Sequence, residues 1–188
     1  MVDALTFLKT RRSTPAKTLK APVPTRPEIE ALLEIAARSP DHKKLEPWRF
    51  IVLSEAALKR LGALAEARYD ALNLPAEKRE KTCAQFNDGL LAVAVVASPK
   101  FCETIPEVEQ TLSAGAVCLA LLNGALASGW GANWLSGPMA FDSEFLTQGL
   151  GLAPQEFVAG FIHIATRSAT PPERPRPDMP SITTWQDS

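Results

Sequence analysis

Ser39-Pro40-Asp41-His42-Lys43-Lys44-Leu45-Glu46-Pro47-Trp48-Arg49-Phe50 is a polar loop set between a helix-patterned segment and an apolar, strand-patterned one. Pro40 bars the helix from continuing, and Pro47 sets the approach to a strand over Trp48-Arg49-Phe50-Ile51-Val52-Leu53. His42 lies in the loop, so its ring is expected to be partly exposed and free to donate or accept a hydrogen bond. A surface histidine with no partner is the plain alternative. Trp48 reads as architectural, carrying a large apolar area into the core. Near the amino terminus, Arg11-Arg12-Ser13 puts two fixed cations and a hydroxyl at a helix end. Planar guanidinium forks beside a hydroxyl suit a phosphate. Arginines at a helix carboxyl end also simply complement its dipole, and the tripeptide alone leaves both readings open.

Outward from these two motifs, the pattern alternates helices and strands. Asp3 can cap a short helix through Lys9 that buries Leu5 and Leu8 and delivers Arg11, Arg12 and Ser13. Pro15, Pro22 and Pro24 make the next segment an extended surface connector. Thr25-Arg26-Pro27-Glu28 fits a capping box, opening a helix to about Arg38 with Ile29, Leu32, Leu33 and Ala36 on one face. Beyond the loop and its strand, Ala56 to about Leu72 reads as an amphipathic helix and Pro75 to Phe86 as a charged one. Leu90 to Ala97 is a continuous apolar run, as in a central strand covered on both faces. Thr104-Ile105-Pro106-Glu107 repeats the capping-box pattern before a helix to about Ser128. Past Leu112 that helix is small or apolar on all sides, which points to a second cover, a partner subunit. Gly129 to Trp134 then reads as a strand, Asp142 to Gln148 as a helix and Phe157 to Ala165 as a final strand. From Thr170 the recurring prolines favour an extended arm.

The chain has 188 residues, so one domain over 1–188, with an extended tail from about 168, is the expectation. Its 20 Lys and Arg against 21 Asp and Glu give a net charge of −1, with no global field for nucleic acid or anionic lipid. The start, Met1-Val2-Asp3-Ala4-Leu5, lacks a basic and then apolar leader, and Ala114 to Leu122 is short for a bilayer span. A soluble, cytoplasmic protein with no membrane or nucleic-acid partner is therefore expected. Cys83, Cys102 and Cys118 lack paired or metal-ligand spacing, so they read as buried or incidental thiols, with no metal site. His163, in an apolar strand, reads as a satisfied structural residue.

The early Arg-x-Ser and the Ser-Pro-(six residues)-Pro-Trp-x-Phe block resemble the nitroreductase family, and Pro40-Asp41-His42 resembles its short Pro-Asp-His branch. The resemblance spans nearly the whole chain. It implies an α+β nitroreductase-like fold, with a central, mostly antiparallel sheet flanked by helices, in a homodimer with an extended carboxyl-terminal tail. It implies flavin mononucleotide (FMN) as cofactor, NAD(P)H as co-substrate and a small-molecule electron acceptor such as a nitroaromatic or quinone. Hydride transfer would be ping-pong through flavin N5. Arg11 and Ser13 become phosphate contacts, Arg12 a ribityl or ring-edge contact, and Arg38, His42, Trp134, Leu135 and Ser136 further cofactor contacts. Lys43 and Lys44 could reach the pyrimidine edge, where one charge-assisted bond of about 1.5 to 3 kcal/mol would raise a two-electron potential by roughly 30 to 60 mV. Gly124, Ala125, Leu126, Ala127, Ser128 and Gly129 approximate the stretch that relatives use for nicotinamide nucleotide. That stretch is not a Rossmann fingerprint, since it closes a helix instead of opening one. Arg174 or Arg176 would return to the phosphate, or else stiffen a basic tail. No side chain is expected to be catalytic, because the flavin carries the chemistry. Thr14-Pro15-Ala16 departs from the family's basic-aromatic continuation, and Glu46 stands where many members have Gln. A flavin-binding dimer with little reductase activity, or a specialised flavin reaction, is the alternative function.

Overall fold

The computed structural model describes residues 3–187, so the readings of Met1, Val2 and Ser188 lie outside the described residues. In chain order the elements are α1 (Ala4–Thr10), β1 (Leu19–Lys20), α2 (Arg26–Ala36), β2 (Trp48–Ser54), α3 (Glu55–Ala71), α4 (Arg79–Asn87), β3 (Leu91–Ala97), α5 (Glu107–Ala127), β4 (Gly131–Leu135), α6 (Ser143–Leu150), β5 (Phe157–Arg167) and the four-residue α7 (Met179–Ile182). The strands run β1-β5-β3-β2, with β4 also on β5, and every pairing is antiparallel. The expected α+β architecture is the one observed.

The apolar run of β3 explains the layering. Ala92, Ala94 and Val96 point into a cluster with Leu58 and Leu61 of α3, Phe86 of α4 and Phe145 of α6. Val93 and Val95 point the other way, into Ile29 and Leu32 of α2 and Val117 and Leu121 of α5. A strand with period two and apolar residues at every position is covered on both faces. In β5, Ile162 and Ile164 face the second cluster and Phe161 the first, but Val158 also faces the first. A one-residue slip accounts for the change of parity: Val95 pairs with Gly160 and Val96 with Val158, so Ala159 is the extra residue of a bulge.

Local capping follows the sequence closely at most helix starts. Asp3 accepts from the Leu5 and Thr6 amides, Thr25 and Glu28 form the capping box, and Asp142 Oδ2 accepts from the Phe145 amide. The second Thr-x-Pro-Glu does not form a box. Pro106 is the cap of α5 and makes no side-chain bond, because Thr104 Oγ1 instead accepts from Lys43 Nζ at 2.7 Å. The Pro15–Pro24 connector is not wholly extended: Ala16–Thr18 turns once, and Leu19–Lys20 pairs with β5.

Other expectations are corrected by packing. Leu5 and Leu8 of α1 are 69% and 57% exposed, since nothing among the described residues covers that helix face. α5 is covered on one side only, leaving Val108, Leu112 and Leu119 exposed in a stripe with Gly115 and Ala116 at helical spacing. Read as a 21-residue helix, α5 is also long and apolar enough to cross a membrane, the only such helix among the described residues, whereas Ala114–Leu122 alone is not. Its buried face packs on α2 and the sheet, which accounts for that side's apolarity. His163 is buried, but its Nε2 has no hydrogen-bond partner, so it is not the fully satisfied residue expected. Cys83 and Cys118 are buried and Cys102 is partly so, all with free thiols, and burial pushes the Cys118 thiol up to about 12.

Candidate functional site

Arg11 caps α1, and Thr14 donates its amide to Ala132 of β4 at 2.8 Å, so the Arg11-Arg12-Ser13 turn is pinned against the sheet. Arg11 Nη2 donates to Ser13 Oγ at 3.0 Å, while its Nε is buried without a partner. The carboxyl-terminal tail returns to this turn. Arg12 Nη1 donates to the Pro172 carbonyl at 2.6 Å and reaches Glu173 Oε1 at 3.3 Å, and Arg176 Nη2 lies 2.8 Å from the same oxygen. Burial, and then the positive charges of Arg176 and Arg12, depress the proton affinity of Arg11. Two guanidinium groups, those of Arg12 and Arg176, thus share one carboxylate with the Arg11 cation beside them, and the arrangement favours a further anion.

The loop after α2 forms a second group. Asp41 folds it, its two oxygens accepting from the Leu45 and Glu46 amides at 3.1 and 2.6 Å. Lys43, Lys44 and Glu46 are held at φ of 59°, 54° and 48°, the left-handed region that costs a non-glycine residue about 1 kcal/mol or more. α5 anchors the loop: Ser113 Oγ donates to the Pro40 carbonyl at 2.7 Å, Trp48 Nε1 donates to Ser113 Oγ at 3.3 Å, and His42 Nδ1 lies 2.8 Å from Glu109 Oε2. Pro40, Asp41, His42, Glu109, Leu112 and Ala116 line an open cleft of about 510 Å³. Arg38 is exposed two residues beyond the end of α2. Among the described residues, no hydrogen bond or ion pair joins this loop to the Arg11–Ser13 turn.

The third group follows β4. Trp134 lays its indole over Gly160 of β5, where a Cβ would stand 2.0 Å from Nε1. Its Nε1 donates at 3.2 Å to the carbonyl of Ala159, the bulge residue that the strand ladder leaves over. Leu135 is half-buried and Ser136 exposed, and the Ser136 carbonyl accepts from Gln85 Nε2 at 3.0 Å. Gly160→Ala is expected to displace the indole and to destabilise the protein by about 1 to 3 kcal/mol, the usual range for overpacking. Tryptophan emission and thermal unfolding would read both, and an unchanged emission spectrum would contradict the arrangement.

Residues 8–166 match the sequence model of the "Nitroreductase family". The chain belongs to that family. "Putative NAD(P)H nitroreductase YdjA" of Escherichia coli (strain K12) is 31% identical over 165 residues, covering 88% of each chain. A Haemophilus influenzae protein named "Putative NAD(P)H nitroreductase" is 36% identical over 168 residues, covering 88% of this chain and 89% of its own. Among solved structures, a nitroreductase-like family protein from Bacillus cereus superposes with a TM-score of 0.82 at 19% identity, over 100% of this chain and 98% of that one. A nitroreductase from Bacteroides fragilis, solved with bound FMN, superposes with a TM-score of 0.76 at 19% identity over 100% of both chains. The fold is nitroreductase-like.

Within this nitroreductase fold, Gly124–Gly129 closes α5. A Cβ on Gly124 would meet Ile35 Cγ2 at 3.3 Å, so glycine there permits α2 and α5 to approach closely. Trp130 donates its amide to Ala125 and Gly129 to Leu126, with Gly129 at φ +91°, which is a Schellman end. Glu109, Gly160, Gln85 and Glu173 were not singled out by the sequence reading, and Asp41 entered it only within the Pro-Asp-His motif. A lone glycine inside the apolar run of β5 was a signal for a bulge or close approach. For Glu109 and Glu173, whose partners lie 67 and 161 residues away, no local pattern gives notice.

Proposed function

We propose that this nitroreductase-family protein is a cytoplasmic, homodimeric, FMN-dependent oxidoreductase folded as one domain. The observation that carries the proposal is the cluster of Arg11, Arg12 and Arg176, in which Arg12 and Arg176 share a single carboxylate and Arg11 Nε is buried and unpartnered. A phosphate monoester fits that need in charge and in hydrogen-bond geometry. Arg11 and Ser13 would hold the phosphate with Arg176, and Arg12 the ribityl chain or ring edge. Trp134, Leu135 and Ser136 would form one wall of the ring site, and Arg38 and His42 another, with Lys43 and Lys44 at the pyrimidine edge. Glu109 would keep the His42 Nδ1 face engaged, leaving Nε2 to face the ring.

FMN held there would supply ping-pong transfer, taking a hydride at N5 from NAD(P)H and passing reducing equivalents to a nitroaromatic, quinone or similar acceptor. The chain's own part is to bind, orient and tune charge. For Gly124–Gly129, packing and capping account for the residues, and the nicotinamide contact rests on resemblance alone.

The bare stripe of Val108, Leu112 and Leu119 on α5 supports a homodimer in which two copies complete each site. Leu112→Asp is expected to give monomers in sedimentation velocity and to weaken FMN binding by about tenfold or more. A dimer with native flavin affinity would remove α5 from the interface.

Titration of the purified protein with FMN and then, without oxygen, with NAD(P)H tests the reading. Absence of flavin binding would overturn it, and binding without bleaching of the flavin band would overturn the nicotinamide part. Turnover of nitro and quinone acceptors no faster than with free FMN would favour a flavin-binding dimer with little reductase activity.

A further inference from the structure

Beyond Ser168, whose amide and hydroxyl donate to Thr18, the tail's hydrogen bonds to the rest of the chain, among the described residues, are those that Pro172 and Glu173 make with Arg12. Glu173 is the hub of that attachment. Its Oε1 lies 3.3 Å from Arg12 Nη1 and 2.8 Å from Arg176 Nη2, and accepts from the Arg174 amide at 3.0 Å. Without this oxygen, Arg176 has no hydrogen-bond or ion-pair partner among the described residues and stands beside two other cations, Arg11 and Arg12, that repel it.

We infer that Glu173 is a positioning residue, which fastens the tail to Arg12 and holds Arg176 beside Arg11 so that those two guanidinium groups face one anion. The inference rests on the FMN reading of this site and names the residue that assembles it. One carboxylate among three arginines lets them converge without cancelling their charge, and the surplus suits a phosphate monoester of about −1.5 to −2 at neutral pH. The carboxylate acts through the arginines, so its effect is largest on ligands that carry the phosphate.

This role has a sign that simple charge arithmetic reverses. Removing an anion beside a phosphate site should tighten phosphate binding, whereas removing a fastening should loosen it. Glu173→Ala is therefore expected to weaken FMN binding by about tenfold, with a smaller loss for riboflavin, which would meet Arg12 but has no phosphate for Arg176. In the flavin-free protein, the same variant should raise the fast mobility of the Arg174 amide in ¹⁵N relaxation. Glu173→Gln keeps an oxygen that accepts from Arg12, Arg176 and the Arg174 amide, and it is expected to restore order and to bind FMN at least as tightly as the native chain. Tighter FMN binding by Glu173→Ala would make Glu173 a competing anion and overturn the inference. So would an Arg174 amide that stays rigid in Glu173→Ala. Should the native chain bind no flavin, the FMN reading falls on its own. The relaxation data, with inorganic phosphate titrated against the Arg11 and Arg176 Nε resonances, would then still decide what Glu173 does.

Discussion

Arg11→Ala is expected to weaken FMN binding by about 10- to 150-fold, the worth of one to two charge-assisted hydrogen bonds, and to leave riboflavin binding nearly unchanged. The same substitution should leave the flavin-free protein no less stable, or slightly more so. Arg11 Nε is buried without a partner, and the neighbouring Arg12 and Arg176 repel the guanidinium. An orphaned buried donor costs about 1 to 3 kcal/mol, and that cost is removed together with the side chain. Binding and stability therefore move in opposite directions, as at a site built for a ligand. Equilibrium dialysis with FMN and with riboflavin, beside thermal unfolding of the flavin-free chain, gives both quantities. If Arg11→Ala lowers stability by 2 kcal/mol or so and leaves FMN affinity intact, Arg11 is a structural residue and the phosphate site lies elsewhere.

The layering was legible because one segment allowed few alternatives. Leu90 to Ala97 is apolar at every position, and β3 accordingly sits inside the sheet with side chains in both buried clusters. Helix starts were legible wherever the capping atoms had no rival. Thr25 and Thr104 stand in the same four-residue pattern, yet only Thr25 caps, because Lys43 claims the Thr104 hydroxyl from another loop. Amphipathic spacing in α1 marked Leu5 and Leu8 as a face to be covered. Spacing cannot say by what, and among the described residues nothing covers it.

At the site, residue types with few alternative uses were the readable ones. Two consecutive arginines and a serine drew attention by their chemistry, and the structure brings the tail to them. The seat of Trp134 was not readable. It depends on a bulge at Ala159 that arises only when β5 is paired with β3, so the alternation within β5 alone could not reveal which carbonyl would be left for the indole. Glu109 and Glu173 were hidden for the same reason: an ion pair has no periodicity, and its partner is chosen by the fold. The positive φ angles at Lys43, Lys44 and Glu46 were hidden more deeply, because none is a residue that favours that region; Asp41, through two amide bonds, imposes it.

Acid should unfold the protein in two stages, set by His163 and Glu156. Burial among apolar neighbours, with Leu58 and Gly89 close by, pushes His163 down to about 4 from an ordinary 6.5. Unfolded chains then take up a proton below pH 6.5 that folded chains refuse until about pH 4, so stability falls by about 1.4 kcal/mol per pH unit across that window, for a loss of about 3 kcal/mol. Glu156 acts lower. The Arg49 fork, with Nε and Nη2 each 2.7 Å from a carboxylate oxygen, holds it down to about 2 from 4.5. Its contribution is complete above pH 4.5 and lost as the pH falls toward 2. Allowing for solvent around the partly exposed Arg49, that loss is about 2 kcal/mol. Urea unfolding at pH 7.5, 6.5 and 5.5 isolates the first stage, and since ordinary glutamates are already about half protonated at pH 4.5, a point there is read against the His163 variant. His163→Leu removes the orphaned Nε2 together with the titrating ring, and is expected to flatten the curve between pH 6.5 and 4.5 while Arg49→Met leaves that slope intact. A native chain equally stable at pH 6.5 and 4.5 would mean that His163 finds a partner for its second nitrogen or for its proton, and that the strand carrying it is wetter than its packing indicates.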